Sequence, residues 1–277
     1  MSLPPIRLIA SDIDGTMLRS DGTLSDRVRS SLWRAHERGI HVVPTTGRPA
    51  TVSRNVMSWL GLDGYWIFGN GAVTRHEGRQ ETVRCYWMDT AVAERTVRNL
   101  RAAMPGVVLA SELDNAVAHE PGFAGRVPFT RPISPAVDDI LVAMPTQLHK
   151  VIVYHDDHDI DSLYEQVVGV AGHEAVVSYS GLLPKKAFVE VAASLVTKAT
   201  ALEALCADLG IDRSEVASFG DNHNDLPMLS WAGRGYVRGD TGPTPPLMPW
   251  RRPISSWAKR CRRLADAVDA LVDEHDW

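Results

Sequence analysis

The chain has 277 residues, 44% hydrophobic and 23% charged, enough for one large domain or two of ordinary size. A formal charge of -5 argues against a general nucleic-acid surface, and no Lys/Arg run is long enough to make a local one. No stretch approaches the ~20 apolar residues of a membrane span, and no positively charged, then apolar leader opens the chain.

Ile6 to Ala10 reads as a buried strand that runs into Ser11-Asp12-Ile13-Asp14-Gly15-Thr16. Strand alternation would point Asp12 and Asp14 the same way, off the strand's carboxyl end. Like charges so placed need a cation or a proton between them. Either a metal is held by both, or one acid is ionised and the other protonated; a polar turn is the structural alternative. Asp21-Gly22 is a hairpin-type turn, so a short flap is expected just after the pair. Ser25 to Arg38 reads as a helix with Val28, Leu32 and Ala35 inward and Gly39 as its stop. Ile40 to Val43 is a second strand, Pro49 to Leu60 a second helix, and Tyr65 to Phe68 a third strand ending at Gly69-Asn70-Gly71-Ala72, a tight turn. This alternation predicts a parallel sheet with right-handed crossovers.

From about Gly78 to Leu183 the pattern is irregular, with many prolines and short strands such as Lys150 to Tyr154, and Pro121 to Pro135 reads as loop. The α/β rhythm then returns: a strand over 187–191, a helix from Lys198 to Leu209 stopped by Gly210, a strand from Glu215 to Phe219, and a helix from Leu226 to Trp231. The expected organisation is therefore a doubly wound, Rossmann-like α/β core over 1–78 and 186–277, interrupted by an α+β insertion over 79–185. Residues 239–246 read as loop, and a last helix would align Cys261, Leu264, Ala265, Val268, Leu271 and Val272, with Lys259 to Arg263 on its solvated face. Three widely spaced cysteines, Cys85, Cys206 and Cys261, lack metal-ligand spacing and fit buried thiols in a reduced, cytoplasmic compartment. His155, His158 and His173 are expected at the surface. Glu112, Asp114, Arg126, His149 and Lys150 are the insertion's polar candidates for reading a ligand, each with a solvated surface position as the plainer expectation.

Gly220-Asp221-Asn222-His223-Asn224-Asp225 is a second strand-end cluster of side-chain oxygens. A helix cap needs one such residue, and four in six positions points to function. Converging with the first cluster, it could hold a hard divalent ion such as Mg²⁺, which prefers oxygen ligands. Thr45-Thr46-Gly47-Arg48-Pro49 places a hydroxyl, a glycine and a helix start together, a ready anion site or an ordinary N-cap. Lys198 opens a helix against the dipole, which hints at another purpose.

Taken in order, Asp12-Ile13-Asp14-Gly15-Thr16, Thr46-Gly47-Arg48, Lys198 and Gly220 to Asp225 resemble the four motifs of the haloacid dehalogenase-like phosphohydrolases. The chain looks like their Cof-type branch with a type IIB cap, and Asn70-Gly71-Ala72 matches a segment common there. The resemblance implies a Mg²⁺-dependent phosphatase acting on a small phosphorylated metabolite, a sugar phosphate first. Asp12 would be the nucleophile and Asp14 the general acid/base. Thr46, Gly47, Arg48, Lys198 and Asn224 would hold the phosphoryl group. Asp12, the backbone carbonyl of Asp14, and Asp221 would bind Mg²⁺. Asn222 and Asp225 would stand behind them, with Asn224 and Asp225 supporting the ion or orienting Lys198. A phosphotransferase or phosphomutase, or a non-catalytic binding protein on the same fold, are the alternatives. No nucleic-acid or membrane partner is expected, and the chain would act as a monomer or homodimer. Two departures touch the edge of the phosphate pocket: Ala199 replaces the usual Gly after Lys198, and Gly235-Tyr236-Val237-Arg238-Gly239-Asp240 replaces a Gly-Val-Ala-Met-Gly-Asn-Ala-like stretch.

Overall fold

The structure is a computed structural model that describes residues 4–113, 116–123, 136–144, 146–180, 188–238, 258–261 and 263–274. The chain divides into two units: residues 1–47, 54–84 and 197–277, and residues 48–53 and 85–196.

The first unit is built on Leu8–Asp12 (β1), buried along its whole length. It lies parallel between Val216–Gly220 (β11) and His41–Thr45 (β2). Tyr65–Phe68 (β3) continues the parallel set on one side, and Arg234–Arg238 (β12) and Ala258–Cys261 (β13) on the other. Val73–His76 (β4) turns back antiparallel on β3, and Glu81–Cys85 (β5) completes an eight-stranded sheet in the order β13-β12-β11-β1-β2-β3-β4-β5. On one face, Leu8, Ala10, Val43 and Ile67 pack with Leu202, Leu205 and Met228. Asp26–Glu37 (α1) packs on β2 and on the last helix. The doubly wound α/β core follows from this pattern.

Local chemistry sets the helix ends. Ser25 caps α1 through the Val28 N–H at 3.2 Å, and the chain leaves the helix at Gly39 with φ 78°. Ala50–Leu60 (α2) follows Pro49. The turn at Asp21-Gly22 forms, with Leu18 and Leu24 bridged antiparallel. Cys261 and its basic neighbours depart from expectation. Lys259 and Arg260 lie with Cys261 in β13, the parallel edge strand, and the final helix begins only at Leu264. A short run rich in Lys and Arg is as compatible with an edge strand as with a solvated helix face.

The second unit holds a five-stranded antiparallel sheet in the order β7-β6-β8-β10-β9. Its strands are Val108–Glu112 (β6), Val117–His119 (β7), Lys150–Tyr154 (β8), Ala175–Ser180 (β9) and Phe188–Ala193 (β10). Thr90–Ala103 (α3) and Ile160–Ala171 (α4) pack against each other and the sheet. The strand expected at 187–191 thus belongs to this sheet as β10, paired with β8 and β9. A strand covered on both faces reads as the same apolar run in either kind of sheet.

Glu112, His149 and Lys150 are not solvated; they are 1%, 4% and 1% exposed. Glu112 and Lys150 are register partners on β6 and β8. Lys150 Nζ reaches Glu190 of β10 at 2.5 Å and Glu112 at 3.5 Å. His155 is also buried, its Nε2 at 3.0 Å from the Pro105 carbonyl, whereas His173 is exposed. Asp114 and Arg126 lie outside the described residues, as do most of 121–135 and all of 239–246.

Candidate active site

The chain winds from β1 to β2 and β3 in one direction and returns to β11, β12 and β13 in the other. The carboxyl ends of β1, β2 and β11 therefore flank the point where the strand order reverses, where open α/β sheets take their ligands. Asp12, Thr46 and Asp221 stand at or just past those three ends.

Strand alternation stops at Asp12, so Asp14 does not share its face by pleating. Ile13–Met17 forms a wide turn in which Asp14 is extended (φ -78°, ψ 121°) and Gly15 is left-handed (φ 81°). A side chain on Gly15 would be strained and would push Asp221 aside: a Cβ would sit 2.3 Å from an Asp221 carboxylate oxygen. Asp221 and Asp225 cluster with Asp12. One oxygen from each of the three lies within 4.8 Å of the others.

Lys198 enters this cluster from the first turn of Lys198–Leu209 (α5), capped by Thr197 and Thr200 in a reciprocal box. The helix is placed by apolar residues: Ala201, Leu202 and Leu205 are buried in the core. The Lys198 side chain is wholly buried, and its ammonium bonds Asp12 and Asp225, the latter at 2.6 Å. The lysine that opposes its own helix dipole is thus offset by two carboxylates.

Asp225 uses both oxygens. One accepts from Lys198, and the other accepts from the Asp221 and Asn222 backbone N–H groups at 3.0 Å each. It fixes the 221–225 loop and the lysine together. Asn222 caps the short helical turn His223–Asp225 by accepting from the His223 N–H. Thr16 Oγ1 donates to Asp221 at 2.5 Å. In sequence Thr16 stands only as part of a motif; a hydroxyl straight after the turn glycine is the available signal. Thr46 is buried, and its N–H donates to the Ile67 carbonyl. Gly47 closes that segment, while Arg48 opens the 48–53 stretch that groups with the second unit. Asn224 donates to Asn70 at 2.9 Å.

Three carboxylates surround one ammonium, and the titration behaviour follows. Burial holds the Asp12 carboxyl well above the usual carboxylate range; Lys198 opposes this, and Asp225 and Asp221 reinforce it. Burial pulls the Lys198 ammonium down, but Asp12 and Asp225 together outweigh it and the net shift is up. These directions agree. The lysine keeps its charge, and Asp12 is pushed toward its protonated form. A divalent cation fits here, because the donors are all oxygen and one positive charge among three carboxylates leaves a deficit.

Residues 9–243 match the haloacid dehalogenase-like hydrolase family. The chain belongs to that family, and its enzyme class is that of a phosphatase. It is 30% identical over 247 residues to the HMP-PP phosphatase of Cronobacter sakazakii, covering 86% of this chain and 85% of that one. It is 26% identical over 239 residues to the 5-amino-6-(5-phospho-D-ribitylamino)uracil phosphatase YitU of Bacillus subtilis, covering 84% and 86%. A solved subclass IIB sugar phosphatase of the superfamily superposes with a TM-score of 0.72 at 17% identity, covering 97% and 98%.

Proposed function

We propose that this chain is a Mg²⁺-dependent phosphatase that hydrolyses a small phosphorylated metabolite through an aspartyl-phosphate on Asp12. The observation that carries this reading is the buried Lys198 ammonium held between Asp12 and Asp225, with Asp221 beside them. A carboxylate approaches a phosphate dianion only when positive charge offsets their repulsion. Lys198 supplies part of that charge. Asp12, Asp221 and the Asp14 backbone carbonyl would hold Mg²⁺, which when bound supplies the rest and polarises the phosphoryl oxygens.

An Asp12 carboxylate oxygen attacks phosphorus, and the bond from phosphorus to the leaving oxygen breaks as Asp14 gives that oxygen a proton. Asp14 then takes a proton from water, which attacks the same phosphorus. The Asp12 oxygen–phosphorus bond breaks and inorganic phosphate leaves. Thr46, Gly47, Arg48, Lys198 and Asn224 hold phosphoryl oxygens, Asp225 keeps Lys198 aimed, and Asn222 shapes the loop.

In the same reading the second unit is the inserted cap that encloses substrate. Sugar phosphates are the first substrate class, and the compounds in the two curated relatives' names are the second. The enzyme works in the cytoplasm as a monomer or homodimer without nucleic-acid or membrane partners. The acidic balance supports the lack of a nucleic-acid partner; among the described residues no helix is long and apolar enough to cross a membrane.

The test is phosphate release from a panel of sugar phosphates, nucleotides and p-nitrophenyl phosphate, with Mg²⁺ and with EDTA, beside Asp12→Asn. Release that needs Mg²⁺ and disappears in the variant is expected. Release that survives Asp12→Asn removes the mechanism.

A further inference from the structure

The turn Gly69–Gly71 at the end of β3 reads in sequence as punctuation. In the structure Asn70 is 6% exposed and left-handed (φ 58°, ψ 28°). Its backbone N–H donates to the Thr46 carbonyl at 2.9 Å. Its Oδ1 accepts from Asn224 Nδ2, also at 2.9 Å. Gly71, at φ 108°, lies so close to Thr197 that a Cβ would stand 2.2 Å from the Thr197 carbonyl oxygen. Thr46, Thr197 and Asn224 belong to the three segments carrying the phosphate-handling groups beyond β1. One three-residue turn touches all three.

We infer that Asn70 is a positioning residue that sets the Asn224 amide and locks the Thr46 segment to the 221–225 loop. The inference rests on the proposed phosphatase reading. Two demands meet at this position and together select asparagine. The backbone must be left-handed, which Gly and Asn tolerate best. The side chain must also offer an acceptor to a neighbour 154 residues away in sequence, which Gly cannot. Donation of one Nδ2 hydrogen to Asn70 fixes which way the Asn224 amide faces; the second Nδ2 hydrogen can go to a phosphoryl oxygen, while Oδ1 is buried without a hydrogen-bond partner among the described residues. Without Asn70 the amide would turn freely, and Thr46 and Asn224 would lose their common support.

The experiment uses Asn70→Gly, which suits the left-handed backbone conformation and deletes the side-chain amide with its acceptor, together with Asn224→Ala and the double variant. Turnover of p-nitrophenyl phosphate with Mg²⁺ should fall on the order of 10–100-fold in kcat for Asn70→Gly, with KM little changed and the melting midpoint held. The double variant should be no slower than Asn224→Ala alone, because Asn70 acts through Asn224. Wild-type kcat in Asn70→Gly, or losses that multiply in the double variant, would overturn the inference. The Asn224 side-chain amide followed by ¹⁵N NMR gives a second readout that needs no turnover. Its hydrogen-bonded shift should be lost in Asn70→Gly, and an unchanged signal also overturns the inference. A wild-type chain that releases no phosphate would count against the phosphatase reading alone, since the amide signal still decides the role of Asn70.

Discussion

Each unit buries a lysine between two carboxylates, and the two clusters differ in everything except that arithmetic. In the second unit Lys150 lies between Glu112 and Glu190, all three on adjacent strands β6, β8 and β10 of a regular sheet. In the first unit Lys198 lies between Asp12 and Asp225, with Asp221 alongside, and the groups stand at strand ends and a helix start. The strand-borne cluster is held by ladder bonds that need no special backbone. The strand-end cluster needs a left-handed Gly15 pressed on Asp221 and a buried, left-handed Asn70. Strain and surplus charge gather where chemistry is done, whereas a paired charge on a regular scaffold is explained by packing alone.

The sharpest way to break this comparison is to delete each lysine. Asp12→Asn and Lys198→Met should each lower phosphate release, on the order of 10⁴-fold for Asp12 as the proposed nucleophile, as removal of a covalent catalyst does. Lys150→Met should leave turnover of p-nitrophenyl phosphate by the folded fraction within a few-fold. Loss of turnover in a Lys150→Met protein that melts normally would place the second cluster in the chemistry and end the distinction.

Stability should treat the two lysines alike where activity does not. Removing either strands buried carboxylates and should cost about 3–5 kcal/mol, read by urea unfolding. Replacing the whole strand-borne set by Glu112→Leu, Lys150→Met and Glu190→Leu should restore stability or raise it by about 1–4 kcal/mol. If that triple variant is as unstable as Lys150→Met, the cluster does more than fill space.

Protons and metal should compete in the first cluster only. Asp12 is held above its ordinary value near 3.8 in the fold, so the fold binds that proton more tightly than the unfolded chain does. Without metal, the Asp12 contribution therefore strengthens the fold as pH falls through the raised value, and weakens it above. Added Mg²⁺ needs the ionised form, so its stabilisation should be largest above the raised Asp12 value and shrink as pH falls through it. The quantity to measure is the difference in melting midpoint with and without Mg²⁺ across that pH change, for wild type and Asp12→Asn. A Mg²⁺ effect independent of both pH and the substitution would remove the cation from this cluster.

The comparison also shows what could be read in sequence. Strand and helix alternation in the first unit was legible because its signals are local: Ser25 and Gly39 bracket α1, and Gly210 ends α5. Gathering of Asp12, Lys198, Asp221 and Asp225 was legible because each follows an apolar strand or opens a helix in a parallel sheet. The burial of Lys150 was not, since its counter-charge on Glu190 is 40 residues away and enters through sheet register. The same holds for β10, whose apolar run does not say which sheet takes it, and for Asn70, whose partner Asn224 lies on a distant loop. Strand alternation does not carry to Asp14, which lies two residues beyond the strand's end at Asp12, in the turn Ile13–Met17.

The smallest predicted effect concerns a second left-handed position, and it separates useful strain from idle strain. Leu195 has φ 66° and is 76% exposed, in the turn between β10 and α5 closed by the Val196 N–H on the Ala193 carbonyl. A left-handed leucine costs about 1–2 kcal/mol relative to right-handed backbone, whereas glycine pays only roughly 0.5–1 kcal/mol in lost chain freedom. Leu195→Gly should therefore stabilise the protein by up to about 1 kcal/mol, a rise of roughly 2–4 °C in melting midpoint for a chain of this size. Asn70 already has the residue its conformation suits, so the same test there brings no gain and loses the Asn224 bond. If Leu195→Gly stabilises the fold and leaves kcat and KM alone, the strain at Leu195 is idle. If it stabilises the fold but raises KM for the preferred substrate, the strain at Leu195 is not idle.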